Sequence, residues 1–479
     1  MSTKITKKQK TQLSSWKNKA KKRGQELRAM RKRLQELEES RDYYKTKLKA
    51  EKEKSKRYET ALKNSEDISE PVKNHSYNLQ AIFFCLALKM SGVMSLRCCR
   101  SALITFYLHF NIPGKVPCIN TIRIWEQKTG YNGLQEKGNE ADDYMLIIDE
   151  SFNIGKQSML IVLAVNLKTY KFGKSLAHQD VKVVSLNVKP SWKAEDIAKV
   201  VEDVERKSYR VKYVCSDGGN NIVKAFENNK IKRVYDCTHA LCLLLKKRYK
   251  DDSKFISFQK KYTLMNRQNY MGQDRIICPQ KLKGKCRFLN IYPIAEWAEK
   301  HLNYLQQIEK KKRNAEEQRL YTKLLWLREY QDLVKELVQV SAVLKGVFEI
   351  LKTEGLDDEQ VNLVTKKMEL MACPMFLREG ILVYLEQNNI KIEGHSRLIC
   401  CSDIIESFFG KFKYNQKRSP EKGVTIGCLD LVNYGQKIDK TIIKKAMEET
   451  KIIDLELWRD KNKLESFNNK RRKLFKKWG

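Results

Sequence analysis

The chain has 479 residues, and its 94 Lys and Arg outnumber 58 Asp and Glu for a formal charge of +36. No apolar run approaches the roughly 18 residues that cross a bilayer, and the basic start lacks a secretory signal, so a soluble, intracellular protein is the expectation. The 13 cysteines contain no CxxC pair, which argues against a disulfide framework, while the basic excess favours a polyanionic partner, nucleic acid being the commonest.

In chain order, residues 1–70 predict a basic coiled-coil arm. Leu13, Trp16, Ala20, Leu27, Met30, Leu34, Leu37, Tyr44, Leu48, Tyr58 and Leu62 follow a seam of alternating three- and four-residue steps, interrupted at Arg23, Arg41, Glu51 and Ser55. Residues 76–138 predict apolar helices with short breaks. The segment "CINTIRIWEQKTG" after Pro117 has the form of the second helix of a helix-turn-helix, with Thr121, Arg123 and Gln127 facing a DNA groove.

From residue 142 the period changes. "YMLIIDES", "QSMLIVLAVNL" and "VKVVSLNV" predict strands, and "SWKAEDIAKVVEDVERK" a helix capped by Ser191. "VKYVCSDGG" is a further strand, "NIVKAFENN" a helix, and "KRVYDCTH" a last strand. Strands without intervening helices should pair antiparallel, and those alternating with helices should run parallel. A mixed sheet of this order is the ribonuclease H-like layout. It places the first part of an α/β (α+β) catalytic domain at 142–245, a large all-α insertion at 246–398, the last helix of the domain at 399–435 and a basic tail at 436–479.

Three acids stand out. Asp149 ends the apolar run "MLII", Asp217 ends "VKYVC" and is followed by Gly218 and Gly219, and Glu406 lies in "CSDIIESFFGKFKY". In that last stretch Ile404, Ile405, Phe408, Phe409 and Phe412 share one helical arc, with Asp403, Glu406, Gly410 and Lys413 on another. Carboxylates brought together from two strand ends and a late helix repel one another unless a divalent cation neutralises them. Hard oxygen donors suit two Mg²⁺ or Mn²⁺ ions, which can activate water and stabilise the leaving oxygen of a phosphodiester. Asp403, one turn before Glu406, is the rival third ligand, and Lys411 and Lys413 are placed to hold a phosphate backbone. Cys237, His239 and Cys242 do not match a zinc knuckle.

With "IIDES", "CSDGGNN" and "SDIIESFFGKFK" supplying the acids in order, and "YDCTH" after the second, residues 90–435 resemble the DDE-type transposases, specifically bacterial insertion-sequence transposases with a helical insertion before the final acid. The resemblance implies that Asp149, Asp217 and Glu406 form the catalytic, metal-binding triad. Asp236 and His239 would support the site or touch DNA near the cleaved bond, and the insertion would shape the DNA channel. It also implies double-stranded DNA, as element ends and target, for a partner, action as a homodimer or higher assembly, no membrane, and a cytoplasmic, nucleoid-associated protein, nuclear in a eukaryotic host. A domesticated DNA-binding protein without chemistry and a ribonuclease H-like nuclease are the alternatives.

Overall fold

The computed structural model describes residues 23–25, 27, 30–31, 33–45, 48–49, 72–92, 94–112, 114–152, 157–282, 290–310, 312–418, 423–437 and 439–476. Much of the predicted arm lies outside these. Its described residues between 23 and 49 are helical, and Leu27, Met30, Leu34, Leu37, Tyr44 and Leu48 of the seam are exposed. The chain divides into two units, one formed by residues up to Cys85 with Ser95–Ile119, the other by Leu86–Met94 with Asn120–Gly479.

Helix α1 spans Leu79–Gly92 and α2 spans Leu96–Phe110. Within the first unit, Ser95 caps α2 by accepting from the Cys98 amide, and Asn111 stops it in the left-handed region at φ 47°. Phe84 and Phe106 pack with ring centroids 5.0 Å apart.

The second unit is built on a sheet. After α3 (Ile119–Gln135) come β1 (Asp143–Phe152), β2 (Ser158–Asn166) and β3 (Lys182–Lys189), then α4 (Ala194–Glu205), β4 (Arg210–Ser216), α5 (Asn220–Asn228) and β5 (Arg233–Tyr235). The five strands lie in the order β3-β2-β1-β4-β5. β1 and β3 pair antiparallel with β2, and β4 pairs parallel with β1 and β5. This mixed sheet with helices is compatible with a ribonuclease H-like core. Two local details differ from expectation. Lys193, not Ser191, precedes the first turn of α4, and Asp196 accepts the Lys193 amide at 3.3 Å. The last strand stops at Tyr235, because Asp236 caps a helix instead of extending the ladder.

Strand alternation separates two cores. Tyr144, Leu146, Ile148, Leu160 and Val162 face Trp192 and the buried sides of α4 and α5. Met145, Ile147, Ile161, Leu163, Tyr213 and Cys215 belong to a larger core with the helices that follow. Those are α6 (Cys237–Tyr249), α7 (Ser253–Asn269), α8 (Ile291–Glu309), α9 (Ala315–Leu324), α10 (Gln331–Thr353), α11 (Asp358–Leu370), α12 (Met375–Asn388) and α13 (Asp403–Arg418). Three more, α14 (Lys440–Glu449), α15 (Ile452–Lys461) and α16 (Phe467–Phe475), occupy the region read as a basic tail.

Candidate active site

Asp149 and Asp217 are brought together by strand register. Ile148 of β1 lies opposite Ser216 of β4 in a parallel pair, so the residue after each emerges at the same end of the sheet. Past the register shift near Met145, Met145 and Ile147 of β1 and Tyr213 and Cys215 of β4 face the larger core, and the alternation continues to Asp149 and Asp217. Asp217 also makes the ordinary local turn, its Oδ1 accepting the Gly219 amide at 3.0 Å.

Glu406 arrives on α13. Ile404, Ile405, Phe408, Phe409 and Phe412 are buried on the arc that the spacing predicts, while Glu406 and Gly410 are exposed. The approach to the helix is pinned to the end of β5. The Cys237 amide donates to the Cys400 carbonyl at 2.9 Å, and the Ser402 amide donates to Asp236 Oδ1 at 2.9 Å. Asp236 is completely buried. Its other oxygen, Oδ2, accepts the His239 amide at 3.0 Å, capping α6, and meets His239 Nδ1 at 2.6 Å. One carboxylate therefore fixes the start of one helix, the ring of His239 and the residue just ahead of α13. His239 lies in the first turn of α6, not at a strand end.

Electrostatics record the convergence. Burial, then the charge of Asp217, then that of Glu406 push the Asp149 carboxyl up to about 7, against the Glu150 amide and His239, which favour its ionised form. His239 is raised to about 9, first by its hydrogen bond to Asp236 and, despite burial, by the charges of Asp236, Asp217 and Asp149. At neutral pH a histidine cation therefore faces a cluster of carboxylates. Among the described residues the oxygens of the three acids do not all lie within 4.8 Å of one another.

A tighter set, Asp236, Cys237 and Cys401, has its donor atoms within 4.8 Å and is buried. Both oxygens of Asp236 are already engaged by Ser402 and His239. The Cys237 thiol is raised chiefly by burial and that of Cys401 chiefly by its hydrogen bond to Cys237. These residues suit a structural joint, not a metal centre.

Other candidates are placed differently from the sequence reading. Asp403 forms an ion pair with Lys352 of α10, so the rival acid is neutralised by the helical region. Gln127 cannot face a groove: it is buried, as are Glu126, Lys128 and Thr129. The reason is a buried charge cluster in the second unit. Lys89 Nζ lies 3.2 Å from Glu126 and 3.0 Å from Asp430, and Asn433 Nδ2 donates to the Glu126 carbonyl at 3.0 Å. Most of α3 is thus a packing element. Arg123 near its start is exposed and donates to Asn120 Oδ1 at 3.2 Å, while Thr121 is half-buried. Lys411 is half-buried with Nζ 4.4 Å from the centroid of the Tyr434 ring, and Lys413 lies over Phe409 at 5.4 Å.

His178, between β2 and β3, reaches α13. Its Nε2 lies 3.2 Å from Ser407 Oγ and its ring 4.8 Å from that of Phe408, so it buttresses α13 beside Glu406. Lys352, Ser402 and His178 carry no local signal, because each acts through a residue remote in the chain.

No protein-family model and no curated protein matches the sequence. Among solved structures, the chain is similar to one described as a Drosophila P element transposase strand transfer complex, with a TM-score of 0.38 and 13% identity, covering 76% of this chain and 92% of that one. A likeness of this size leaves function to be read from the site itself. No helix among the described residues is long and apolar enough to cross a membrane.

Proposed function

We propose that this chain is a DNA transposase of the DDE type. It would cleave DNA strands at the ends of a mobile element by attack of water on a phosphodiester, and the freed 3′-hydroxyl would then attack target DNA at the same site. The observation that carries the reading is the parallel register of β1 and β4, which brings Asp149 and Asp217 to one end of the sheet, with Glu406 near enough to raise the Asp149 carboxyl. The sheet order and the +36 charge support it.

Asp149, Asp217 and Glu406 would hold two Mg²⁺ or Mn²⁺ ions, which supply Lewis-acid stabilisation of the charge that develops on the phosphoryl oxygens. The protein's own contribution is placement. The parallel register of β1 and β4 presents two carboxylates at one sheet edge, and Asp236 sets where α13 begins and so where the third stands. His239, held by Asp236, offers a cation to the cluster before metal and DNA arrive. Assignment to bacterial insertion sequences, action on double-stranded element ends and assembly as a dimer belong to this proposal as its narrower form.

Purified chain incubated with Mg²⁺ and linear DNA bearing inverted terminal repeats should nick at the repeat ends. Asp149→Asn and Glu406→Gln should each lower that rate by three or more orders of magnitude while still binding DNA. Full cleavage by either variant ends the proposal. Binding without nicking by the unaltered chain, under Mg²⁺ and Mn²⁺ alike, would leave a DNA-binding protein without chemistry.

A further inference from the structure

The last described helix, α16, is docked at the end of the sheet that carries the acids. Phe152 of β1 pairs with Ser158 of β2, and Ser158 pairs with Lys189 of β3, so these strand ends lie at the Asp149 edge. One hydrogen bond ties the chain near its last helices there, and a turn at residues 423–424 adds a second attachment. The Val188 amide donates to Asn462 Oδ1 at 3.0 Å, just after α15. The Val424 amide donates to Gln157 Oε1 at 3.1 Å, and Gln416 of α13 donates to the Gly423 carbonyl at 2.8 Å. Gly423 adopts φ +97°, and a Cβ there would stand 3.0 Å from the Phe467 ring at the start of α16. One turn thus joins the Glu406 helix, the sheet edge and α16.

The sequence of α16 is FNNKRRKLF, and Lys470–Lys476 are all exposed. Lys473 is engaged by Glu465 at 2.6 Å. Among the described residues no carboxylate pairs with Lys470, Arg471 or Arg472. A membrane-surface helix separates an apolar face from a cationic one. At about 100° per residue, Leu474, Phe467 and Phe475 share one arc that Arg471 interrupts, and Lys470, Arg472 and Lys473 lie outside it. The Phe467 end of that arc is packed against Gly423, so the helix presents no continuous apolar stripe to a lipid surface. Cations spread around most of the circumference, one of them breaking the apolar arc, fit a polyanion that runs past the helix better than a flat lipid surface.

We infer that α16 is a DNA-backbone clamp, in which Lys470, Arg471 and Arg472 hold phosphates of the strand that lies across the Asp149 edge. This rests on the proposed action on DNA, but its test is separable. The full chain and a Lys470→Gln, Arg471→Gln, Arg472→Gln variant are titrated with labelled duplex DNA in EDTA at several salt concentrations. Each lost phosphate contact removes about 0.9 from the slope of log affinity against log salt, so the slope should become shallower by about 2.7. The conservative Lys470→Arg, Arg471→Lys, Arg472→Lys variant should restore it, which loss of folding would not. An unchanged slope overturns the inference, and so does wild-type binding to phosphatidylserine vesicles that the glutamine variant loses while keeping its DNA affinity. If the unaltered chain never cuts DNA yet the slope falls, the catalytic reading fails and the clamp stands. If it cuts and the slope is unchanged, the clamp alone fails.

Discussion

The Ser402 amide donates to Asp236 Oδ1 at 2.9 Å, joining residues 166 positions apart in the chain. The same carboxylate caps α6 and holds His239, so it couples the third acid's helix to the sheet. Asp236→Ala removes a cap and leaves a buried amide and a histidine without their acceptor, at a cost of about 2–5 kcal/mol. Asp236→Asn keeps one carbonyl acceptor and should lose less. Urea unfolding of the two variants gives the comparison, and equal midpoints for Asp236→Ala and wild type would refute the coupling.

Asp149 dictates a pH dependence. Its pKa in the fold is about 7, against about 3.9 in an unfolded chain. The folded state therefore holds the extra proton between these values, and the stability this group contributes below pH 4 is lost as pH rises through 7. Asp149→Asn removes the repulsion. In metal-free buffer it should raise stability at pH 8 by up to about 4 kcal/mol and change little at pH 4. His239, at about 9 in the fold, adds stability that is complete below its ordinary 6.5 and fades as pH passes 9. Melting curves across pH 4–10 test both, and a pH-independent gain in Asp149→Asn would contradict this account.

Divalent cations should relieve the same repulsion. Binding to the folded state alone at a hundredfold excess over Kd adds about 2.7 kcal/mol. Mg²⁺ or Mn²⁺ should therefore raise the Tm of the unaltered chain, EDTA should reverse the rise, and Glu406→Gln should shrink it. A Tm indifferent to both ions, with no DNA present, would argue against a preformed site.

The buried trio of Lys89, Glu126 and Asp430 yields a stability prediction remote from the acids. Burial and the neighbouring Asp430 charge push the Glu126 carboxyl well up, and Lys89 is the cation that offsets both acids. Lys89→Met strands two buried acids and should cost about 3–5 kcal/mol. Lys89→Met combined with Glu126→Gln and Asp430→Asn should recover much of that loss. Circular dichroism melts decide the matter, and a single mutant as stable as wild type would show that the trio is not a unit.

The legible parts of this protein were those written in local periodicity. The apolar run in "YMLIIDES" marks β1, and the two-residue period of a strand puts Asp149 on the face opposite Glu150. The arc of Ile404, Ile405, Phe408, Phe409 and Phe412 marks α13 and leaves Glu406 outside its buried side. The strand order follows from which strands are separated by helices. Gln127 was misread because an exposed recognition helix and a buried packing helix share one periodicity, and only the carboxylates and lysine gathered from α1, α3 and the chain near residue 430 distinguish them. Asp403 and Glu406 are likewise indistinguishable as letters one helical turn apart.

By itself, then, the sequence determined the apolar strands, the amphipathic helices, the basic excess and the acids that follow two apolar runs, since these depend on neighbours a few positions away. Only the tertiary structure decided that Lys352 takes Asp403, that Asp236 ties Ser402 to His239, and that Asp149 feels both Asp217 and Glu406. Charges interact through space, and chain separation does not encode their distance.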